Sequence, residues 1–181
     1  KDKPMSYMAF QILYWTGIRI GELLALSFND IDFENRKIII TKTYTRIEGK
    51  DLITTPKTPK SNRKVNIPKF LVDELQDYTG KLYGVMSNER IFHCTSSYLT
   101  SEMKRGVTNT GVQKIRLHDL RHSHASLLVE MGVTPLEMAE RLGHEKIETT
   151  LNTYSHLYPN KQAQLADRLD GEFEKEEEEE L

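Results

Sequence analysis

Residues 118–156 read HDLRHSHASLLVEMGVTPLEMAERLGHEKIETTLNTYSH, and this stretch decides how the chain folds. A helix is predicted from Asp119 to Met131, with Leu120, Ala125, Leu127 and Leu128 turned inward and Gly132 as its stop. Thr134-Pro135-Leu136-Glu137 is a capping box with proline in the first turn, so a second helix starts there, reaches Leu142 and closes at Gly143. A further turn or two spans Glu148 to Tyr154. His118, Arg121, His144 and Tyr154 all stand on these short helices.

The upstream segments extend the pattern. Pro4 sits well in a first helical turn, YMAFQILYW continues it, and Gly17 is placed to end it in a left-handed cap. A second short helix, IGELLALSF, follows, with Arg19 at its start and Glu22 on the same side three residues later. At Asn29-Asp30 the helix breaks. The β-branched run Lys37 to Thr45 reads as a strand, Glu48-Gly49-Lys50 as a turn and Asp51 to Thr55 as a second strand. A third strand is expected near Lys64 to Ile67, after the basic loop TPKTPKSNRK, where Pro56 and Pro59 oppose regular pairing. Pro68 opens a helix with Phe70, Leu71 and Leu75 as its buried stripe. Ser97 to Arg105 is predicted helical, Asn109 to Gly111 a turn, and KQAQLADRL a last amphipathic helix. The fold class is therefore mainly α with a small three-stranded antiparallel β-sheet.

Length and composition set limits. At 181 residues the chain suits one domain with a tail. No apolar run is long enough to cross a membrane as a helix. The N-terminus lacks signal-peptide shape, and a chain starting at Lys1 reads as a piece of a longer protein. Cys94 is the only cysteine, which excludes an intramolecular disulfide and fits a reducing, cytoplasmic setting. The formal net charge of −2 hides a division: eight acids against one lysine in residues 170–181 leave residues 1–169 with a net charge of +5. The domain is accordingly expected over residues 1–169, with an acidic, solvated tail beyond it.

Each candidate for chemistry has a plain structural reading beside it. His118 and Arg121 share a helix face, where a guanidinium can grip two phosphate oxygens and a histidine can move a proton. They can equally be a capping histidine and a surface arginine. His118 and His122 have the i, i+4 spacing of zinc helices, but the H-E-x-x-H pattern is absent and Arg121 between them opposes a dication, so no metal is expected. Tyr154 can be half-buried packing. As a nucleophile it needs help, because a phenol with a pKa near 10 is well under about 1% ionised at neutral pH. Arg19, Arg121 and the histidines would supply that help if the fold gathers them. A leaving alkoxide also needs a proton. Lys57 is the candidate donor and Lys60 its rival; both also suit a solvated basic turn.

Taken in order, T-G-I-R-I-G-E-L, P-K-T on a hairpin, H-D-L-R-H-S-H-A, L-G-H and T-L-N-T-Y-S-H resemble the catalytic domain of the tyrosine recombinases. The wording is most similar to integrases of phages and conjugative transposons of low-GC Gram-positive bacteria. The resemblance implies that Arg19, Lys57, His118, Arg121, His144 and Tyr154 are catalytic, with Glu22 in support, and that Tyr154 forms a 3′-phosphotyrosyl bond without metal or other cofactor. It implies a double-stranded DNA partner, a homo-tetramer that exchanges C-terminal segments, and an excision or directionality factor. The family's N-terminal DNA-binding domains are not in this chain. Lys60, Arg63, Lys114 and Arg116 are expected phosphate contacts, which position DNA without specifying its sequence. The acidic tail would compete with DNA for the basic face. A catalytically silent DNA-binding relative and a topoisomerase-like strand swivel are the alternatives.

Overall fold

A computed structural model of the chain describes residues 3–56, 61–84, 86–158, 166 and 169. Helix α1 (Pro4–Thr16) starts with proline in its first turn and buries Met8, Ala9, Ile12 and Leu13. Gly17 ends it at φ +66°, donating its N–H to the Leu13 carbonyl at 3.0 Å. Helix α2 (Ile20–Ala25) follows after three residues, Gly17, Ile18 and Arg19, so α1 and α2 are joined by a short connection that ends in Arg19.

The β region differs from the expected single sheet. Strands β1 (Ile31–Asp32), β2 (Lys37–Ile40) and β5 (Arg63–Asn66) form an antiparallel sheet in the order β1-β2-β5. Strands β3 (Thr43–Ile47) and β4 (Lys50–Thr54) form a separate two-stranded ribbon. The predicted strand over residues 37–45 is thus broken after Ile40. There Lys42 binds the buried Asp30 at 2.8 Å and Ser27 at 2.9 Å, and the chain turns so that Tyr44 is buried beneath the guanidinium of Arg90. The ribbon closes through Glu48 (φ 50°) and Gly49 (φ 78°), the paired positive dihedrals that a two-residue hairpin loop requires.

Helix α3 (Lys69–Thr79) buries Leu71, Val72, Leu75 and Tyr78. Phe70, expected in that stripe, is instead 43% exposed and rests its edge on Trp15. Helix α4 (Ser96–Thr110) runs five residues past the predicted Arg105, because the chain stays helical until Gly111 supplies a left-handed cap. Helices α5 (Asp119–Glu130), α6 (Pro135–Leu142) and α7 (Ile147–Tyr154) follow. The box at Thr134 forms as expected: Glu137 accepts the Thr134 N–H at 2.8 Å, and Thr134 Oγ1 accepts the Glu137 N–H at 3.3 Å. The expected last helix falls mostly outside the described residues, as does the acidic tail. Among the described residues no helix is long and apolar enough to cross a membrane.

Two apolar clusters result. The larger gathers α1, α2, β2, β5, α3 and the segment through Ile91 and Phe92. The smaller lies between α5, α6 and α7 and contains Ala125, Leu128, Met138, Leu142 and Tyr154.

Gly17 stands where the two clusters meet. A Cβ there would lie 2.6 Å from His124 Cδ2 and 2.8 Å from Leu142 Cδ2. Gly17→Ala therefore meets both a left-handed backbone and a filled space, and is expected to cost at least about 2 kcal/mol. Urea denaturation of the two proteins measures it.

Candidate active site

The connection between α1 and α2 sets out the first charge. Arg19 precedes α2, and Glu22 one turn later accepts the Arg19 backbone N–H at 2.8 Å. The same carboxylate pairs with Arg19 Nη1 at 2.9 Å. Glu22 is only 3% exposed, and burying a lone carboxylate costs several kcal/mol. Arg63 supplies the compensation: its Nη1 and Nη2 grip the two Glu22 oxygens at 3.0 and 2.9 Å. Burial pushes the Glu22 carboxyl up, but the fork from Arg63 and the contacts from Arg19 outweigh it and hold the group below the ordinary range.

Arg63, expected as a phosphate contact, is engaged here with the protein itself. Its side chain is 7% exposed, and its Nε donates to the Arg141 carbonyl at 2.9 Å. The desolvated Glu22 needs a bidentate partner more than the surface needs another cation. Arg19 keeps its guanidinium 41% exposed, so it is the member of this trio open to a ligand.

Arg121 supplies the second charge. It projects from the first turn of α5 and is 3% exposed. Nη1 donates to the Gly17 carbonyl at 2.6 Å, and Nη2 to the Leu142 carbonyl at 2.8 Å and to His144 Nε2 at 3.0 Å. Burial, then the like charge of Arg19, pushes its pKa down to about 9, with Glu22 pulling the other way. It remains a cation at neutral pH.

Those contacts settle the tautomer of His144. A guanidinium only donates, so Nε2 of His144 is the acceptor and Nδ1 carries the hydrogen, given to Thr150 Oγ1 at 2.7 Å. Burial, then Arg121, Arg19 and Arg63, lowers the His144 pKa to about 4, so the ring is neutral. Thr150 is fully buried, and nothing in the local pattern of residues 147–154 distinguishes it from Thr149.

Tyr154 closes α7 and is 4% exposed. Its phenol is not sealed among apolar groups: Oη lies 3.0 Å from His122 Nδ1. Burial raises the phenol pKa, and Arg121 works against that rise. His118 starts α5 on the exposed side, with its ring edge-on to His122 at 4.9 Å between centroids. Partial desolvation, then electrostatic interaction with His122 and Arg121, lowers its pKa.

Arg19, His118, Arg121, His144 and Tyr154 are thus linked through contacts. Arg19 Nη2 reaches the Gly143 carbonyl at 3.4 Å, His144 follows in the chain and touches Arg121, Arg121 interacts electrostatically with Tyr154, and the ring of His122 touches both Tyr154 and His118. A cavity of about 380 Å³ opens beside them, lined by Arg19, Thr43, Pro56, Ser61, His144 and Thr149. Lys57 and Lys60 lie outside the described residues, but Pro56 and Ser61, which flank that segment, both line the cavity. Lys114 is exposed, and Arg116 is 81% exposed while paired with Asp119 at 2.9 Å. Among the described residues no three metal-ligating side chains converge. His122 is the member that sequence reasoning passed over. Its only signal was its place one residue after Arg121 and one turn after His118, weighed there as a zinc spacing.

Comparison with known proteins agrees with this geometry. The chain is 36% identical to the ICEBs1 integrase of Bacillus subtilis strain 168, over 94% of the chain and 50% of that protein. It is 28% identical to a XerC-like tyrosine recombinase of Caldanaerobacter subterraneus, over 91% of the chain and 49% of that protein. The chain spans about half the length of these curated relatives. Among solved structures, the Tn1549 transposon integrase in complex with a circular intermediate DNA superposes with a TM-score of 0.77 at 25% identity, covering 97% of this chain and 60% of that one. The catalytic domain of bacteriophage HP1 integrase gives a TM-score of 0.59 at 25% identity, over 89% and 79%. The sequence profile of the phage integrase family matches residues 1–161, and the chain belongs to that family.

Proposed function

We propose that this chain is the catalytic domain of a site-specific DNA recombinase, an integrase that cuts and rejoins DNA to integrate and excise a mobile element. One observation carries the reading: Arg19, Arg121 and His144 are linked beside a cavity while Tyr154 lies within electrostatic reach of Arg121. The relatives support it, since they are named integrases and recombinases, and a similar transposon integrase is described with DNA bound.

In this mechanism Tyr154 Oη attacks the phosphorus, the bond to the 5′-oxygen breaks, and a 3′-phosphotyrosyl link forms. The two guanidiniums stabilise charge on the non-bridging oxygens as phosphorus becomes five-coordinate. Lys57, with Lys60 as rival, protonates the leaving 5′-oxygen. A 5′-hydroxyl attacks in the return step, and the phenol leaves. The number of phosphodiester-type bonds is unchanged, so no cofactor is required. The partners in this reading are double-stranded DNA, three further copies in a tetramer, and an excision or directionality factor. Its place is the bacterial cytoplasm, on the nucleoid when bound to DNA. Lys114 and Arg116 meet phosphates.

A library of nicked suicide duplexes, randomised around the nick, tests this without knowledge of the target site. The wild-type chain is expected to accumulate covalent adduct on Tyr154, located by mass spectrometry, and Tyr154→Phe to retain DNA without adduct. An adduct on another residue, or none, overturns the proposal. Arg121→Lys is expected to cleave at least about 100-fold more slowly, because an ammonium cannot hold the Gly17 and Leu142 carbonyls and still present a planar fork. A 5′-bridging phosphorothiolate duplex, whose thiolate leaves without a proton, should restore cleavage to whichever of Lys57→Ala and Lys60→Ala has lost the general acid.

A further inference from the structure

Every other member of the site leaves one proton unaccounted for. The phenol of Tyr154 must lose its hydrogen as Oη bonds to phosphorus, and arginines and a protonated lysine cannot accept it. The two nitrogens of His144 are both engaged, Nε2 by Arg121 and Nδ1 by Thr150. His118 touches the ring of His122 rather than the phenol. Among the described residues, one acceptor stands at the phenol oxygen: Nδ1 of His122, at 3.0 Å.

The direction of that hydrogen bond follows from burial. If Nδ1 carried the hydrogen and donated to Oη, the phenol hydrogen of a 4% exposed side chain would have no acceptor, at a cost of about 1–3 kcal/mol. The phenol therefore donates, with Nδ1 as the acceptor. The distance is already that of a competent proton transfer.

We propose that His122 is a catalytic residue whose Nδ1 takes the phenol proton during attack and returns it during rejoining. This rests on the reading of Tyr154 as the nucleophile. In the forward step the O–H electron pair stays on Oη and becomes the new bond to phosphorus, while the proton moves to Nδ1. The 5′-oxygen leaves with the proton of the general acid. In the reverse step the 5′-hydroxyl gives up its proton to that acid's conjugate base, and Tyr154 leaves with the proton held by His122. The imidazolium that exists between the steps lies close to the cation of Arg121. Asp119, one turn earlier on α5 and already in electrostatic contact with His122, supplies counter-charge.

The test replaces the proton acceptor without removing the hydrogen-bond acceptor. In His122→Asn, Oδ1 falls near the position of Nδ1 and can orient the phenol, but it cannot take its proton. Adduct formation on duplexes recovered with the wild-type chain is expected to slow by about 100-fold or more, within the usual range for losing a general base. Difluorotyrosine at position 154, whose phenol ionises more readily, is expected to restore most of that loss in the Asn variant. The phosphorothiolate duplex should not, because the missing proton transfer is on the nucleophile and not on the leaving group. An Asn variant within about threefold of wild type leaves His122 as a positioning contact and overturns the proposal. So does rescue by the phosphorothiolate, or no rescue by difluorotyrosine. His122→Gln gives the second reading, and urea unfolding of both variants separates a folding defect from a chemical one. A wild-type chain that forms no adduct at Tyr154 fails the underlying reading instead, and the wild-type lane shows which has failed.

Discussion

A single buried guanidinium holds the two halves of this molecule in register. Arg121 sits where α1 and α6 both end, and it takes the carbonyl of Gly17 from one and of Leu142 from the other. Each helix C-terminus carries a partial negative charge from its unpaired carbonyls, on the order of half an elementary charge. Two such ends aimed at one point form a cation site without a carboxylate. A carboxylate there would neutralise the charge that a phosphate needs. Backbone carbonyls hold the guanidinium and leave its net charge available.

The same economy governs the rest of the charged layer. Glu22 is buried between Arg19 and Arg63, Arg63 reaches the Arg141 carbonyl, and Arg141 donates to His124 Nε2 and to the carbonyls of Trp15 and Asn66. Arg19 and Arg63 thus share the Glu22 carboxylate, Arg121 interacts with its charge, and Arg141 is held by carbonyls and His124 instead, at the junction of α1, α2, β5, α5 and α6. Burial lowers the pKa of Arg121 and Arg141, and at Glu22 it works against the arginine contacts that hold the carboxyl below its ordinary range, so each ionised group is held against its preference for water. Such a layer is a poor source of stability and a good anion receptor. The apolar clusters on either side must supply the stability that it withholds.

This division explains what could be read from residues alone. The helix ends were legible because their causes are local: Pro4 in a first turn, Gly17 and Gly143 in left-handed caps, Thr134 with Glu137 in a reciprocal box. Arg19, Arg121, His144 and Tyr154 were legible because their order and spacing match a known pattern. What failed were questions of partnership between segments far apart in the chain. Lys64 to Ile67 was recognised as strand, but not that Arg63 just before it would turn inward to serve Glu22. The run from Lys37 to Thr45 has β-branched residues throughout, and nothing in it announces that Lys42 will bind Asp30 and break the strand. Phe70 is apolar at a buried-looking position, yet Trp15 offers it an edge at the surface instead. His122 was weighed only against its neighbours on α5, while its partner is 32 residues away.

Helix α5 shows how a short segment can serve both layers. His118, Arg121 and His122 fall at i, i+3 and i+4 on one side of the helix, and His122 meets Tyr154 there. Ala125, Leu128 and Val129 continue the helix into the smaller apolar cluster, where Tyr154 packs. The guanidinium of Arg121 is therefore fixed by the ends of α1 and α6, and the phenol of Tyr154 by the cluster between α5, α6 and α7. His144 ties the two sets directly, since it touches Arg121 through Nε2 and donates from Nδ1 to Thr150 of α7. A change on α7 therefore reaches the buried guanidinium through a single imidazole, which couples the seat of the phenol to that of Arg121.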